Sequence, residues 1–357
     1  MSCKILAINP GSTSTKIAVF DGEAQLFVKT IKHSTEELSQ YSKIADQYEF
    51  RKQLILEELK LQGIALENIE VIIGRGGLVK PIPSGVYEIN DLMLEHLKIG
   101  FSGQHASNLG GLIANSISQS IGIPKSYIAD PVVVDELSDL ARVSGHPLFE
   151  RVSIFHALNQ KAIARTYAKE HNENYEDLNL VVVHMGGGIS VGAHKQGKVI
   201  DVNQALDGEG AFSPERSGTL PMNKLVDACF SGKYTLTQMK KMLMGEGGFV
   251  AYFGHNDAIK IEKDALAGDP KSILIEGAMA YQVAKEVGAA SAVLKGEIDA
   301  ILLTGGLAYG KPLVEAIKSY ISWIAPIFVY PGEDEMKALA LNALMVKNNV
   351  IEAKIYQ

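Results

Sequence analysis

Residues 4–25, KILAINPGSTSTKIAVFDGEAQ, and residues 180–202, LVVVHMGGGISVGAHKQGKVIDV, follow one plan. In each, a continuous apolar run meets a turn of glycine or hydroxyl residues, then an alternating segment that closes on a hairpin-type turn, Asp21-Gly22 or Gln196-Gly197. Two such units half a chain apart predict a duplicated domain, with each lobe opening on its own glycine turn and the two turns facing a cleft.

Other short β-branched runs also stop at glycine, in VIIGRGG (71–77) and DAILLTGG (299–306), and these read as buried strands feeding tight turns. The fold class expected is α/β, with helical patterns between the strands. Segment 35–60 reads as a solvated amphipathic helix and 272–296, scattered with Ala, Gly and Ser, as a closely packed internal one. After the strand pattern WIAPIFVYPG (323–332), EDEMKALALNALMVKN is an amphipathic helix with an acidic first turn, expected to return to the first lobe.

At 357 residues and 46% apolar content, two lobes are a better fit than one core. A net charge of −7 argues against a nucleic-acid or anionic-membrane partner, so any anionic ligand has to be met by individually placed residues. Two distant cysteines, Cys3 and Cys229, form neither a disulfide framework nor a zinc pattern, and no run resembles a signal peptide or a membrane span. The expectation is a cytoplasmic protein.

Residues 9–16, NPGSTSTK, combine backbone N–H groups, hydroxyls and a lysine in one turn, which is what a phosphate needs. A Ser/Thr-rich hairpin accounts for that stretch equally well on its own. HMGGGIS (184–190) and TGGLA (304–308) favour the phosphate reading, because three successive glycines admit close backbone approach to a ligand and TGGLA opens a strand-to-helix junction. No GxxxxGK[ST] loop occurs, and the segment after NPGSTSTK alternates like a strand, unlike a dinucleotide turn. GISVG (188–192) matches a serine-hydrolase elbow in spelling but leads into a strand, so Ser190 is read as a turn or ligand hydroxyl.

Taken together, INPGSTSTK, GRGGL, ADPVVVDE, RVSGHP, SIFHALNQK, HMGGGIS, DGEGAFSPERSG, LLTGGLA and PGEDEMKALAL resemble the acetokinase family along nearly the whole chain. That family lies within the acetate and sugar kinase, Hsp70 and actin superfamily. The resemblance implies two duplicated ribonuclease H-like, actin-like ATPase lobes around a nucleotide cleft. It divides the chain into residues 1–133 with 338–357, carrying the first phosphate turn and the acceptor site, and residues 134–337, carrying the second phosphate and adenosine turns.

It also implies roles. Asn9, Ser12, Ser14 and Lys16 fall in the first phosphate turn, His184 with Gly186, Gly187 and Gly188 in the second, and Gly305 with Gly306 in the nucleoside turn. Arg75 and Arg216 match two arginines that hold the acceptor carboxylate and the transferring phosphoryl group. Asp130 and His156 match a catalytic aspartate and a histidine touching the transition state, and Asp130 and Glu335 are placed near Mg2+. The implied activity is ATP-dependent phosphorylation of a short-chain fatty acid, with a homodimer or higher homo-oligomer as the working form.

The chain departs from the family's acetate kinases in having Gly187 where they carry an asparagine, and Gly76-Gly77 where they have bulky residues after the first arginine. The second departure predicts a smaller wall beside the carboxylate, room for a four- or five-carbon acid such as butanoate, and Phe155 as a lining residue. Acetate or propionate as acceptor, or a nucleotide-switched binding protein, are the competing expectations. The last is disfavoured by the paired arginines and by the absence of spare length for a large binding region.

Overall fold

The computed structural model describes residues 3–357 and divides into two compact units, residues 3–134 with 334–357, and residues 135–333.

In the first unit, β1 (Lys4–Pro10), β2 (Ser14–Asp21) and β3 (Ala24–Lys32) form an antiparallel meander, and β4 (Val71–Arg75) joins β1 in parallel. With β5 (Val86–Glu88), β6 (Tyr127–Ala129) and a C-terminal strand, Lys354–Ile355, the sheet has seven strands, and β6 lies parallel to β4. The helix Asn108–Ser120 lies against β4 through glycines, since a side chain on Gly74 would run into the carbonyl of Gly110. The final helix, Glu335–Lys347, packs on β1 and β4.

The second unit repeats the plan. β7 (Asn179–Met185), β8 (Ile189–Lys195) and β9 (Lys198–Val202) form the meander, with β10 (Ala300–Gly305) parallel to β7 and β11 (Ile327–Pro331) parallel to β10. The strand order 11-10-7-8-9 matches 6-4-1-2-3 of the first sheet, so the duplication read from the sequence is a duplication of topology. The β8–β9 turn has positive φ at both Gln196 and Gly197, as a two-residue hairpin of the right twist requires. The helix Pro270–Val293 buries Met279, Ala280, Val283 and Val287 against this sheet, as its small-residue pattern predicts. No helix among the described residues is long and apolar enough to cross a membrane.

The segment expected to be a solvated helix differs from that reading. In the helix Tyr48–Leu61, Arg51 is buried together with Ile55 and Leu59, one helical turn apart on the same face. Its guanidinium donates to the carbonyls of Gly11 (2.7 Å), Ser12 (3.1 Å) and Ser14 (3.1 Å) and to Gln47 (2.8 Å). Burial lowers its pKa to about 10, and the carbonyl oxygens of the first turn replace the lost water. We predict that Arg51→Met lowers unfolding stability by about 2 to 3 kcal/mol in urea titrations, because several buried acceptors lose a charged donor at once.

His33 lies beside this cluster, bonded through Nε2 to Thr15 Oγ1 at 2.8 Å. Burial, with Arg51 adding repulsion, lowers its pKa from 6.5 to about 4. The unfolded chain therefore takes up the proton first, and stability should be full above pH 6.5 and fall as the pH drops toward 4. Replacing His33 with Gln should flatten that part of the stability–pH curve.

Candidate active site

The first cluster sits where β1, β4 and the final helix end together. Glu335 opens that helix, and its carboxylate accepts from Arg75 through both terminal nitrogens at 3.1 Å each and from Asn9 Nδ2 at 2.5 Å. Asn9 and Lys16 are direct partners across the β1–β2 ladder, so both side chains lie on one face of the hairpin. Ser12 lies in the connecting turn and Ser14 opens β2, and the carbonyls of both point inward to Arg51. Asn9 of the first phosphate turn, Arg75 of the acceptor site and Glu335, expected near Mg2+, thus form one hydrogen-bonded group.

Asp130 belongs to a different network. It follows β6 with φ of +37°, rare for a residue with a side chain, and is held by Ser84 Oγ (2.7 Å) and the Gly85 N–H (2.8 Å) at its Oδ1. Strained backbone under a buried carboxylate marks a position fixed by its surroundings.

Gly76 and Gly77 do not provide the smaller wall that the sequence led us to expect. A Cβ on Gly76 would lie 2.5 Å from Pro131 Cβ, and one on Gly77 would lie 2.5 Å from Asn108 Oδ1 and 2.8 Å from Leu97 Cδ2. The room left by the missing side chains is thus filled by the unit's own packing. Phe155, proposed as a lining residue, is 2% exposed.

The second cluster surrounds the β7–β8 turn. His184, next to last in β7, stacks on His156, with ring centroids 3.7 Å apart and planes within 11°. His184 Nδ1 is 2.8 Å from Asn159 Oδ1, and its Nε2 is 3.4 Å from Glu333. His156 precedes the helix Ala157–Glu170, which brings Asn159 and Gln160 onto the same side of the turn. A Cβ on Gly186 would lie 3.0 Å from Glu333 Oε1 and 3.1 Å from His184 Nε2, a tight fit, and a Cβ on Gly188 would overlap the Arg216 guanidinium. Arg216 donates to the Ala205 carbonyl at 2.5 Å, and Ser213 Oγ donates to the Gly187 carbonyl at 2.6 Å, tying the PERSG loop to the glycine turn. Burial lowers the Arg216 pKa, partly offset by Glu215 and Asp207.

The third glycine turn adjoins a cavity. Gly305 has φ of +90° and packs on the Met185 backbone. Gly306 lines a pocket of 370 Å³ with Phe249, Ile259, Glu262, Glu276 and Tyr309. It is largely apolar with two carboxylates, and burial raises the Glu276 pKa with Glu262 adding to it. Its size and lining suit a planar heterocycle with hydrogen-bond donors.

Sequence reasoning missed Arg51, Asn159 and Gln160. The signal for Arg51 was present, since an arginine at i, i+4 and i+8 spacing with Ile55 and Leu59 shares their apolar face. Asn159 and Gln160 follow His156 at i+3 and i+4, the spacing that places helical neighbours together.

The two repeated meander sheets thus carry an arginine–carboxylate group in one unit and a glycine turn, paired histidines and a pocket of 370 Å³ in the other. The acetokinase family profile matches residues 150–317. Across all 357 residues, and the whole of the relative, the chain is 57% identical to butyrate kinase 2 of Clostridium acetobutylicum. This chain belongs to the acetokinase family. The crystal structure of acetate kinase from Porphyromonas gingivalis shares the fold at 17% identity, with a TM-score of 0.79 over 97% of this chain and 100% of that one. A propionate kinase from Francisella tularensis shares it at 20% identity, with a TM-score of 0.74 over 95% and 98%.

Gly188→Ala tests how tightly the second cluster is built. The added methyl displaces the Arg216 guanidinium, so turnover should fall on the order of a hundred-fold, as on losing a preorganised charge donor, while circular dichroism stays unchanged. Undiminished activity would place Arg216 outside the chemistry.

Proposed function

We propose that this enzyme transfers the γ-phosphoryl group of ATP to butanoate, giving butanoyl phosphate and ADP in a reversible reaction. The observation that carries this reading is Arg75, whose fork already holds a carboxylate, that of Glu335, through two nitrogens. The full-length likeness to a butyrate kinase supports a four-carbon acceptor. Gly76 and Gly77 add nothing to that preference.

A short fatty acid is ionised at neutral pH, so its oxygen is nucleophilic without a general base. The enzyme must place the carboxylate in line with the γ-phosphorus and neutralise charge on the transferring oxygens. The first unit takes the acceptor, with Arg75 holding the carboxylate and Asn9, Ser12, Ser14 and Lys16 lining the first phosphate turn. The second takes the nucleotide, with the base in the cavity beside Gly306, the phosphates on residues 186–188, and Arg216, His156 and His184 about the phosphoryl group. Asp130, locked by Ser84 and Gly85, is the catalytic carboxylate.

Glu335 and Asp130 are hard oxygen donors of the kind Mg2+ takes, and the ion needs only one or two carboxylates beside the phosphates. Held by these residues, the ion would supply positive charge to offset that of the phosphates. Cytoplasmic location follows from the substrates, which are ATP and a small carboxylate; no nucleic acid or membrane takes part.

A homodimer is the proposed working form. The helix Met222–Cys229 buries none of its residues, and with Phe149, Leu220 and Leu243 it lines an apolar hollow of 660 Å³. Phe230, just beyond, is 87% exposed, an apolar side chain that a second copy would cover. Light scattering should give twice the monomer mass, and Val226→Asp with Phe230→Asp should halve it.

The acceptor is tested with Mg-ATP and hydroxylamine trapping across acetate, propionate, butanoate, isobutanoate and isovalerate. Butanoate or a branched C4 to C5 acid should give the highest kcat/KM; a peak at acetate overturns the chain-length assignment. Arg75→Ala and Arg216→Ala should each lower turnover by a hundred- to a thousand-fold, about 3 to 4 kcal/mol of transition-state stabilisation. ATP hydrolysis with no hydroxamate from any acid would mean a nucleotide switch in place of a carboxylate kinase.

A further inference from the structure

From the second cluster a file of hydrogen bonds runs into the core of the second unit, and each direction along it is forced. The Ser190 backbone carbonyl only accepts, so the Gln160 atom 3.0 Å from it is the amide nitrogen. Gln160 Oε1 is therefore the atom facing His194 Nε2 at 2.9 Å, and that nitrogen carries hydrogen. His194 is fully buried, and burial with Lys161 and Arg165 nearby keeps it neutral, so its Nδ1 is an acceptor and Tyr175 donates to it at 2.7 Å.

The other end is forced in the same way. Gln160 Nε2 also donates to Ser190 Oγ at 2.8 Å. Ser190 is fully buried and Gln160 Nε2 can only donate to it, so His156 Nδ1, 2.9 Å away, is the acceptor its hydrogen finds. A nitrogen that accepts cannot carry hydrogen, so a neutral His156 has its hydrogen on Nε2.

We infer that Ser190, Gln160 and His194 are positioning residues that hold His156 in its Nε2–H form, so that it offers a donor to the transferring phosphoryl group. The inference rests on His156 being the transition-state contact. A lone pair in that place would repel the phosphoryl oxygens, whereas an N–H stabilises their growing charge.

The packing keeps this file intact. Ser190, Gly192 and His194 alternate along β8 and so share one face. A Cβ on Gly192 would lie 2.5 Å from Gln160 Oε1 and 3.1 Å from His194 Nε2, so glycine keeps that bond clear. His184, stacked 3.7 Å from His156 and tied to Asn159, fixes the plane of the ring.

The test is nitrogen-15 NMR of histidine-labelled full-length enzyme at pH 7.5, with the His156 signals assigned by their loss in His156→Gln. Long-range proton–nitrogen correlation should show an unprotonated Nδ1 and a protonated Nε2. Gln160→Glu replaces the donor to Ser190 with an acceptor, turning the serine hydrogen away and moving the His156 hydrogen onto Nδ1. That variant should lose turnover on the order of a hundred-fold with KM for ATP and butanoate little changed. Ser190→Ala should also lose turnover, and Ser190→Thr, which keeps the hydroxyl, should recover most of it.

A protonated Nδ1 on His156 in the unaltered enzyme overturns the inference, whether or not any variant folds. Loss of activity in Gln160→Glu with the Nε2–H pattern unchanged also overturns it, since the residue would then act on structure alone. Full activity in His156→Gln would instead remove the catalytic reading of His156, a result the NMR pattern neither causes nor hides.

Discussion

Two antiparallel hairpins, β1–β2 and β7–β8, position the two turns about which the proposed active site is built. Their ladders are buried, with Leu6, Ile8, Ile17 and Val19 in one core and Val181, Val183, Ile189 and Val191 in the other. A buried strand cannot carry unpaired polar side chains, so hydrogen-bonding residues collect at the strand ends or are wired into networks. Asn9 and Lys16 pair at the end of one ladder, and His184 and Ser190 pair at the end of the other. The same topology thus delivers one polar turn per unit, and the side chains there decide which anion it serves.

The two turns are built differently. The first is held from below by Arg51, a buried cation that satisfies three carbonyls and turns them inward. The second is held by close approach, with Arg216 in the space a side chain on Gly188 would need and Glu333 and His184 crowding Gly186. A cation under one turn and missing side chains in the other are two ways of fixing a backbone that must meet phosphate.

Much of this was legible in the sequence because it follows from periodicity. The paired segments 4–25 and 180–202 carry the strand, turn and strand pattern directly, and the sheets form in the order that pattern implies. Motif resemblance marks Asn9, Arg75 and Glu335 one by one, but their grouping was not legible, since β1, β4 and the final helix are far apart in the chain. Two readings failed for one reason, which is that sequence does not show what fills a space. Arg51 looked solvated because arginine usually is, but the turn's carbonyls make burial tolerable. Gly76 and Gly77 looked like open room, but Pro131 and Asn108 have closed it. Ser190, read as a turn or ligand hydroxyl, is buried within β8, and its link to Gln160 was hidden because the hydrogen-bond directions emerge only once a backbone carbonyl fixes the first one.

The account makes the protein a device for positioning and charge compensation, in which an already ionised carboxylate attacks phosphorus and no side chain becomes phosphorylated. Its most direct test is the stereochemical course at phosphorus, using ATP made chiral at the γ-phosphate with three oxygen isotopes and analysing the acyl phosphate formed. One in-line displacement predicts inversion of configuration. Retention would mean two displacements through a phosphorylated enzyme and would contradict direct transfer to the carboxylate.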